Sequence, residues 1–305
     1  MRAPLFAVLA LAAGTALAAG SAGFPDAAQL AAMSARLAPV HVEVDLSGLP
    51  ANERAALASL VRAGYVADGL FLRQLWAGNP SLLMQLLADD SPLGRARLDY
   101  FRINKGPWSR LDHNKPFIPG VPEKPAEANY YPAGATKADV EAWFASLKEP
   151  DRTVATGFFT TIRRKPDGTF IAVPYALEYQ GELQRAATLL REAAALTSND
   201  TLKRFLTTRA DAFFSNDYYE SDVAWMELDA PIEPTIGPYE VYEDEWFNHK
   251  AAFEAFITLR DDGETAKLAK FSGELQGIED NLPIDAGYRN PKLGGLAPIR
   301  VVNVV

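Results

Sequence analysis

Apolar residues recur every three or four positions in several stretches of the chain, which is the spacing of one face of an α-helix. After Pro50, for example, Leu57 and Leu60 fall on one side of such a helix and Arg54 on the other. A later helix begins with a capping box, in which Thr136 precedes Asp139 by three residues. Together with start and stop signals, this spacing predicts helices over residues 50–76, 81–88, 136–147, 178–196, 201–214 and 264–282.

Strand signals are fewer. Residues 156–164 and 169–174 are β-prone and flank the turn sequence KPDG at 165–168, which predicts a hairpin. Residues 298–305, PIRVVNVV, read as a buried strand, and residues 103–135, rich in Pro and Gly, as a long loop. The predicted fold class is α+β, predominantly helical with a small mixed sheet. Because the sequence stops inside the last apolar stretch, we expect a chain that is cut short.

The N-terminus has the organisation of a signal peptide. A positive start is followed by an apolar run at 5–13 and by the small-x-small sequence ALA at 16–18. We expect cleavage after residue 18, which predicts a periplasmic or secreted protein that is not held in a membrane after signal removal. Residues 19–49 are then an N-terminal lead-in to the main region, 50–305. The alternative is an ordinary buried N-terminal helix.

Composition narrows the possible chemistry. The 305 residues suffice for one large domain or two ordinary ones. The net charge of -9 disfavours nucleic acid as a partner, since it repels phosphate backbones. The absence of cysteine excludes thiolate metal sites, disulfides and cysteine nucleophiles from this sequence.

The three histidines, His41, His113 and His249, do not form a zinc motif. A zinc-protease helix needs H-E-x-x-H, and none of the three has another histidine three to five residues away. Alternation would place His41, Glu43 and Asp45 on one strand face, as a weak ligand set or, more simply, as a solvated strand face. There is also no G-x-S-x-G elbow, Walker loop or G-x-G-x-x-G motif.

Carboxylates and tyrosines alternate with apolar residues over residues 216–245, around three prolines and a glycine. Short extended segments of this kind suit the wall of a binding cleft, where inward carboxylates and phenols hold an amine and backbone groups. A solvated acidic edge is the plain alternative. A third interpretation is a glycosidase pair, in which Glu227 or Glu233 acts with Glu240 as acid and base.

Residues 232–244, IEPTIGPYEVYED, followed by KAAFEAFI at 250–257, resemble the substrate-cleft segment of the dipeptidyl peptidase III family of zinc metallopeptidases. That segment has roughly the form E-x-Y-I-G-F-I-E-x-Y-x-D, then E-F-E-G-F-V. Three further stretches resemble the bacterial branch of the family: DHNKPFIPG at 112–120, ANYYPAG at 128–134 and YRNPK at 288–292. The resemblance covers roughly residues 50–305.

The resemblance implies the mixed α/β lobe of a two-lobed exopeptidase that removes dipeptides from the N-termini of short peptides. By motif match, Glu233 pairs with the free amine of the substrate, and Thr235, Gly237, Tyr239 and Glu240 belong to the same substrate-binding segment. Thr235 stands where better-known members carry a tyrosine that stabilises the transition state. Strict dipeptidyl specificity is therefore not implied.

The family's zinc and its ligands are expected in the full-length member and not in this chain, which would be truncated before the zinc-binding helical lobe. We therefore predict no catalytic and no metal-ligating residue here, and no activity of this chain alone. One alternative is a non-catalytic periplasmic peptide-binding protein that lost its catalytic lobe, and another is a metal-independent carbohydrate-active enzyme. The oligomeric state is left open.

Overall fold

A computed structural model describes residues 23–293 and 300–305. The predicted signal peptide, 1–18, lies outside the described residues. Its boundaries stay predictions, and so does the boundary between the lead-in, 19–49, and the main region, 50–305. The described helices are α1 (Ala27–Ser34), α2 (Ala51–Leu75), α3 (Asn79–Ala88), α4 (Pro92–Asn104), α5 (Lys137–Ser146), α6 (Asp151–Thr156), α7 (Tyr175–Glu178), α8 (Gln180–Leu196), α9 (Asp200–Ser215), α10 (Tyr219–Met226) and α11 (Asp262–Asp280).

The described strands form four antiparallel pairs. They are β1 (Trp108–Ser109) with β2 (Lys115–Pro116), β3 (Thr160–Arg164) with β4 (Phe170–Pro174), β5 (Thr235–Glu240) with β6 (Ala252–Phe256), and β7 (Thr258–Arg260) with β8 (Val302–Val304). The fold class is thus confirmed as α+β, mostly helical with small sheets.

The chain divides into two compact units. The described part of the first comprises residues 23–37 and 86–123, with α1, α4 and the β1–β2 pair. A bidentate ion pair joins its two segments, because the Arg36 guanidinium donates to both carboxylate oxygens of Asp112 at 2.9 and 2.5 Å. That guanidinium, with help from the Ser109 hydroxyl, holds the pKa of Asp112 well below its usual range.

The second unit, residues 38–85 and 124–305, contains the main hydrophobic core. Helix α2 runs through it and packs against α8 and β6. Its fully buried Gln74 side chain joins α2 to the strand, since Nε2 donates to Ala251 O (3.1 Å) and Oε1 accepts from Phe253 N (2.7 Å). Among the described helices, α2 is long and apolar enough to cross a membrane, but 44% of the relevant window is buried inside the protein. The buried residues identify α2 as a core helix.

Local signals predicted several elements correctly. The capping box of Thr136 and Asp139 begins α5 as expected, with the Thr136 hydroxyl accepting from Asp139 N. The β3–β4 hairpin forms around the KPDG turn, although the strand begins only at Thr160, because Thr156 ends α6 and residues 157–159 form a turn. Helices α2, α3, α8, α9 and α11 lie within a few residues of the predicted ranges.

Three predictions were wrong. The extended segments expected from residue 216 include a helix, α10, before β5 begins. The C-terminal strand forms over Val302–Val304, but its three residues are exposed rather than buried, because in the described structure it is an edge strand that pairs only with β7. The earlier part of that predicted strand, 298–299, lies outside the described residues. Residues 41–45, expected to alternate on a strand, have no regular structure.

Candidate functional site

A cavity of about 500 Å³ opens beside the β5–β6 and β7–β8 pairs, with α10 along one side. Its polar lining consists of Glu233, Thr235, Thr258 and Arg300. The remaining lining side chains are apolar: Trp225, Met226, Leu228, Phe256, Val302 and Val304. The site is therefore an apolar hollow with one carboxylate and one guanidinium at its polar end, a composition typical of ligand cavities.

Strand pairing brings these side chains together. Thr235 lies directly opposite Phe256 in the β5–β6 register. Just before β5, the backbone N–H of Glu233 donates to Thr258 O (2.9 Å), and the Thr258 hydroxyl donates back to Glu233 O (2.6 Å). This reciprocal pair fixes the backbone of Glu233 against β7, so its side chain is presented from a rigid segment.

The Glu233 carboxylate is largely buried, with 15% of its side chain exposed. Its Oε1 atom lies 3.3 Å from Arg300 Nη1 and 3.9 Å from Arg260 Nη1, and it accepts no hydrogen bond. Burial raises the pKa of Glu233, while the two arginines oppose that rise and Asp229 adds to it. The carboxylate thus lies in an environment where burial and positive charge compete.

The two arginines are themselves held by backbone and carboxylate groups. Arg300 donates through Nη1 to Leu228 O. Arg260 donates to Asp229 through Nη1 and to Asp262 through Nε (2.6 Å). The guanidinium groups are therefore fixed near Glu233 without depending on Glu233 for their position.

Behind β5, a fully buried arginine occupies the space next to Gly237. A Cβ at Gly237 would lie 2.8 Å from Arg209 Nη1, and the Gly237 φ of +155° is rare for other residues. Arg209 Nη2 pairs with Asp222 Oδ1 at 2.5 Å. Three rings lie within about 5.4 Å of the guanidinium, those of Phe205, Tyr218 and Tyr239. Glycine at position 237 therefore lets β5 pack directly on Arg209.

The predicted substrate-binding residues fall into three groups. Glu233 and Thr235 line the cavity. Gly237 and Tyr239 contact Arg209 behind it, and burial raises the pKa of Tyr239 to about 12. Glu240 is exposed and lies outside the cavity lining. Their roles toward a substrate stay predictions.

The glycosidase pair has no support from the cavity. Its lining includes Glu233 but neither Glu227 nor Glu240. Glu227 instead forms an exposed ion pair with Arg204. The carboxylates of that interpretation therefore do not converge on this cavity.

Sequence reasoning missed Arg300 and the apolar wall. Arg300 is a lone charge within the apolar sequence PIRVVNVV, which is a signal that could have been noticed. The exposed Trp225, Met226 and Phe256 side chains, exposed by 43%, 71% and 52%, gave no periodic signal.

A larger groove of about 680 Å³ lies between α2 and α8. None of the predicted substrate-binding residues lines it; its walls include Arg62, Tyr65, Glu182 and Arg185. Its chemistry is that of a charged surface groove, and we place the candidate site at the smaller cavity because Glu233 converges there with Arg300.

The described residues do not fit a zinc ion. Within 23–293 and 300–305, no three His, Cys, Asp or Glu side chains are grouped so that they could hold a metal. His41 contacts Glu43 at 2.5 Å on the surface. The His249 ring stacks on Phe247, and burial lowers its pKa.

Residues 134–294, more than half of the chain, match the family model of Peptidase family M49. The fold is similar to the solved structure of dipeptidyl-peptidase III from Corallococcus sp. strain EGB, with 67% identity and a TM-score of 0.84, over 92% of this chain and 52% of that one. It is also similar to the structure of DPP III from Caldithrix abyssi, with 47% identity and a TM-score of 0.85, over 90% of this chain and 52% of that one.

A curated relative, "Nudix hydrolase 3" of Arabidopsis thaliana, is 37% identical over 319 residues, which is 88% of this chain and 41% of that protein. The chain therefore spans about half the length of both solved structures and less than half of the curated relative. The family match extends through α5 to α11 and includes β5 and Glu233. On these matches, the chain belongs to peptidase family M49.

Proposed function

We propose that this chain provides the substrate-binding wall of a zinc-dependent dipeptidyl peptidase, and that its cavity binds the free N-terminus of a short peptide. The observation that carries this proposal is the position of Glu233, the carboxylate among the lining residues of an otherwise mostly apolar cavity. Membership of a peptidase family supplies the substrate class.

In this proposal Glu233 pairs with the N-terminal ammonium of the peptide. Its Oε1 atom is buried on the arginine side, which leaves Oε2 as the oxygen for the ligand. A charge-assisted hydrogen bond in a partly buried site is stronger than one in water, so it can fix the register of the peptide. Thr235, paired with Phe256 across the strands, adds a hydroxyl next to the apolar wall.

Hydrolysis is assigned to zinc ligands outside this sequence. The residues that the structure describes do not fit the metal, and we derive no catalytic step from them. We therefore expect the 305-residue chain with added zinc to bind peptides without cleaving them. Turnover of a dipeptidyl substrate by this chain alone would contradict that expectation.

The same site suits a second candidate, a peptide-binding protein without hydrolytic activity, because the Glu233 carboxylate and the apolar wall would hold a peptide with or without hydrolysis. Zinc content and dipeptide release, measured on the protein purified from its source, distinguish the two candidates. Zinc bound at about one ion per chain, with dipeptide release, supports the peptidase. Peptide binding with neither supports the binding protein.

Export is a further part of the proposal and is supported by the sequence over residues 1–18. The N-terminal sequence of the mature protein tests it, and a start at Ala19 is the expected result. The activity in the name of the Arabidopsis relative, a Nudix hydrolase, is not carried over, because this chain matches only 41% of that protein.

Peptide binding itself is tested by calorimetry with tetra-alanine and with N-acetyl tetra-alanine. We expect the free peptide to bind and the acetylated one to bind at least about tenfold more weakly, since acetylation removes the charge. Glu233→Gln should weaken the binding of the free peptide by a similar factor and leave the binding of the acetylated peptide unchanged. Glu227→Gln, outside the cavity, is the matched control. Equal affinities for both peptides would overturn the proposal.

A further inference from the structure

We propose that Arg300 is a positioning residue for Glu233, which keeps the carboxylate ionised and turns one of its oxygens toward the cavity. This inference rests on the proposed binding of a peptide amine by Glu233. Arg300 belongs to the segment that leads into β8, far along the chain from the motif that contains Glu233.

The guanidinium of Arg300 lies at the polar end of the cavity. It lines the cavity with 20% of its side chain exposed. Its Nη1 atom donates to Leu228 O and lies 3.3 Å from Glu233 Oε1. The guanidinium therefore neutralises the buried side of the carboxylate while its own position is set by a backbone carbonyl.

The backbone next to Arg300 is also held. Val301 N donates to the Thr265 hydroxyl (3.1 Å), and Val301 O accepts from Asp261 N (2.8 Å). These contacts tie the segment to the start of α11 and to the end of β7. An arginine on a segment fixed in this way can orient a neighbouring side chain.

Arg260 cannot replace Arg300 in this role. Its Nη1 atom is 3.9 Å from Glu233 Oε1, and its guanidinium is engaged by Asp229 and Asp262. The charged groups that act on Glu233 are therefore Arg300, then Arg260, with Asp229 opposing both. Removing Arg300 leaves burial and Asp229 opposed only by the more distant, already paired arginine.

Removing Arg300 should change the protonation of Glu233. Only the ionised carboxylate attracts an ammonium group, and an opposite charge within about 4–6 Å lowers the pKa of a carboxyl group by about 1–3 units. Loss of Arg300 should raise the pKa of Glu233 by at least about one unit. Amine binding should then weaken as the pH falls toward 6, while binding at pH 8 changes less.

The test uses the whole chain with Arg300→Met and Arg300→Lys, and with Arg204→Met as a matched control. Arg204 pairs with Glu227, and neither residue lines the cavity. Carbon-13 NMR of the glutamate side-chain carboxyls, assigned with Glu233→Gln, follows the titration of Glu233 without ligand. Calorimetry with tetra-alanine at pH 6 and pH 8 follows amine binding, and thermal melts confirm that each variant is folded.

For Arg300→Met we expect an upward shift of the Glu233 titration and a loss of tetra-alanine affinity, relative to the wild type at the same pH, that is about twofold or more larger at pH 6 than at pH 8. Arg300→Lys keeps the positive charge and should therefore show smaller changes in the Glu233 titration and in the affinity. The control Arg204→Met should show neither change. An unchanged Glu233 titration in folded Arg300→Met overturns the inference. If Glu233→Gln binds tetra-alanine like the wild type, the proposed function fails, whereas the ligand-free titration still decides the role of Arg300.

Discussion

The buried Lys250 gives the sharpest stability prediction. Its side chain is fully buried, and Nζ donates to Ala155 O (2.6 Å), Gly157 O (2.9 Å) and Thr160 Oγ1 (2.9 Å). No carboxylate is among these acceptors; Asp244 acts on the ammonium only at longer range. Burial lowers the pKa of Lys250 to about 7 from its ordinary 10.5. The perturbation is Lys250→Met, which fills similar volume without a charge or donors.

The direction of the pH dependence of the unfolding free energy follows from the number of protons bound by the unfolded and the folded chain. Between pH 7 and pH 10.5 the unfolded chain holds the Lys250 proton and the folded chain does not, so the free energy of unfolding rises with pH in that window. One proton corresponds to about 1.4 kcal/mol per pH unit at most. The difference in unfolding free energy between wild type and Lys250→Met should thus grow by about 2 kcal/mol from pH 7 to pH 9.

At pH 9 the variant should also be the less stable protein. The neutral amine still donates two hydrogen bonds there, whereas methionine leaves three acceptors without that partner, and each buried orphan costs about 1–3 kcal/mol. We therefore expect a loss of at least about 2 kcal/mol at pH 9.

Urea unfolding at pH 6, 7, 8 and 9 measures the difference in unfolding free energy between the wild type and Lys250→Met at pH 9, and also the growth of that difference with pH. Lys203→Met, at an exposed position on α9, is the control and should follow the wild type at every pH. The change between pH 7 and pH 9 is the diagnostic part, because burial and the Lys250 charge lower the pKa of His249 from 6.5, and the substitution therefore alters the titration of His249 below that range. If the difference in unfolding free energy between the wild type and Lys250→Met is constant from pH 6 to pH 9, the reasoning is refuted.

Two further substitutions test the packing that presents the cavity. Gln74→Leu removes the side chain that satisfies Ala251 O and Phe253 N, and it should lower the free energy of unfolding in urea by about 2–4 kcal/mol; a loss under about 0.5 kcal/mol would contradict it. Gly237→Ala places a Cβ against the buried Arg209 Nη1 and requires an unfavourable φ, so it should cost about 1–3 kcal/mol and weaken tetra-alanine binding. The control Gly181→Ala meets no atom within 4 Å and lies in α8, so it should leave binding unchanged and should not lower the stability.

The elements that the sequence predicted best are those with local causes. Thr136 and Asp139 cap α5 across three residues, and the KPDG turn closes the β3–β4 hairpin over a short stretch of chain. Helix α4 carried equally local signals, with Ser91 as its N-cap and Pro92 at its first position, but it was not predicted. That omission was one of interpretation, because the cap is visible in the sequence.

The sequence predicted only part of the candidate site, and the reason differs from that for α4. Glu233 and Thr235 stand in a recognisable motif, and both line the cavity. Their partners come from other parts of the chain: Trp225 from α10, and Arg300 from the segment before β8. Hydrophobic periodicity reports which face of an element is buried, but it carries no information on which distant element meets it. The contact between Arg300 and Glu233 therefore required the structure.

A crystal structure of the chain with tetra-alanine would test the central claim most directly. We predict the peptide in the cavity beside β5, with its N-terminal nitrogen at about 3 Å from a Glu233 carboxylate oxygen and its first side chains against Trp225 and Phe256. A peptide bound instead in the groove between α2 and α8, or a terminal amine away from Glu233, would contradict the account.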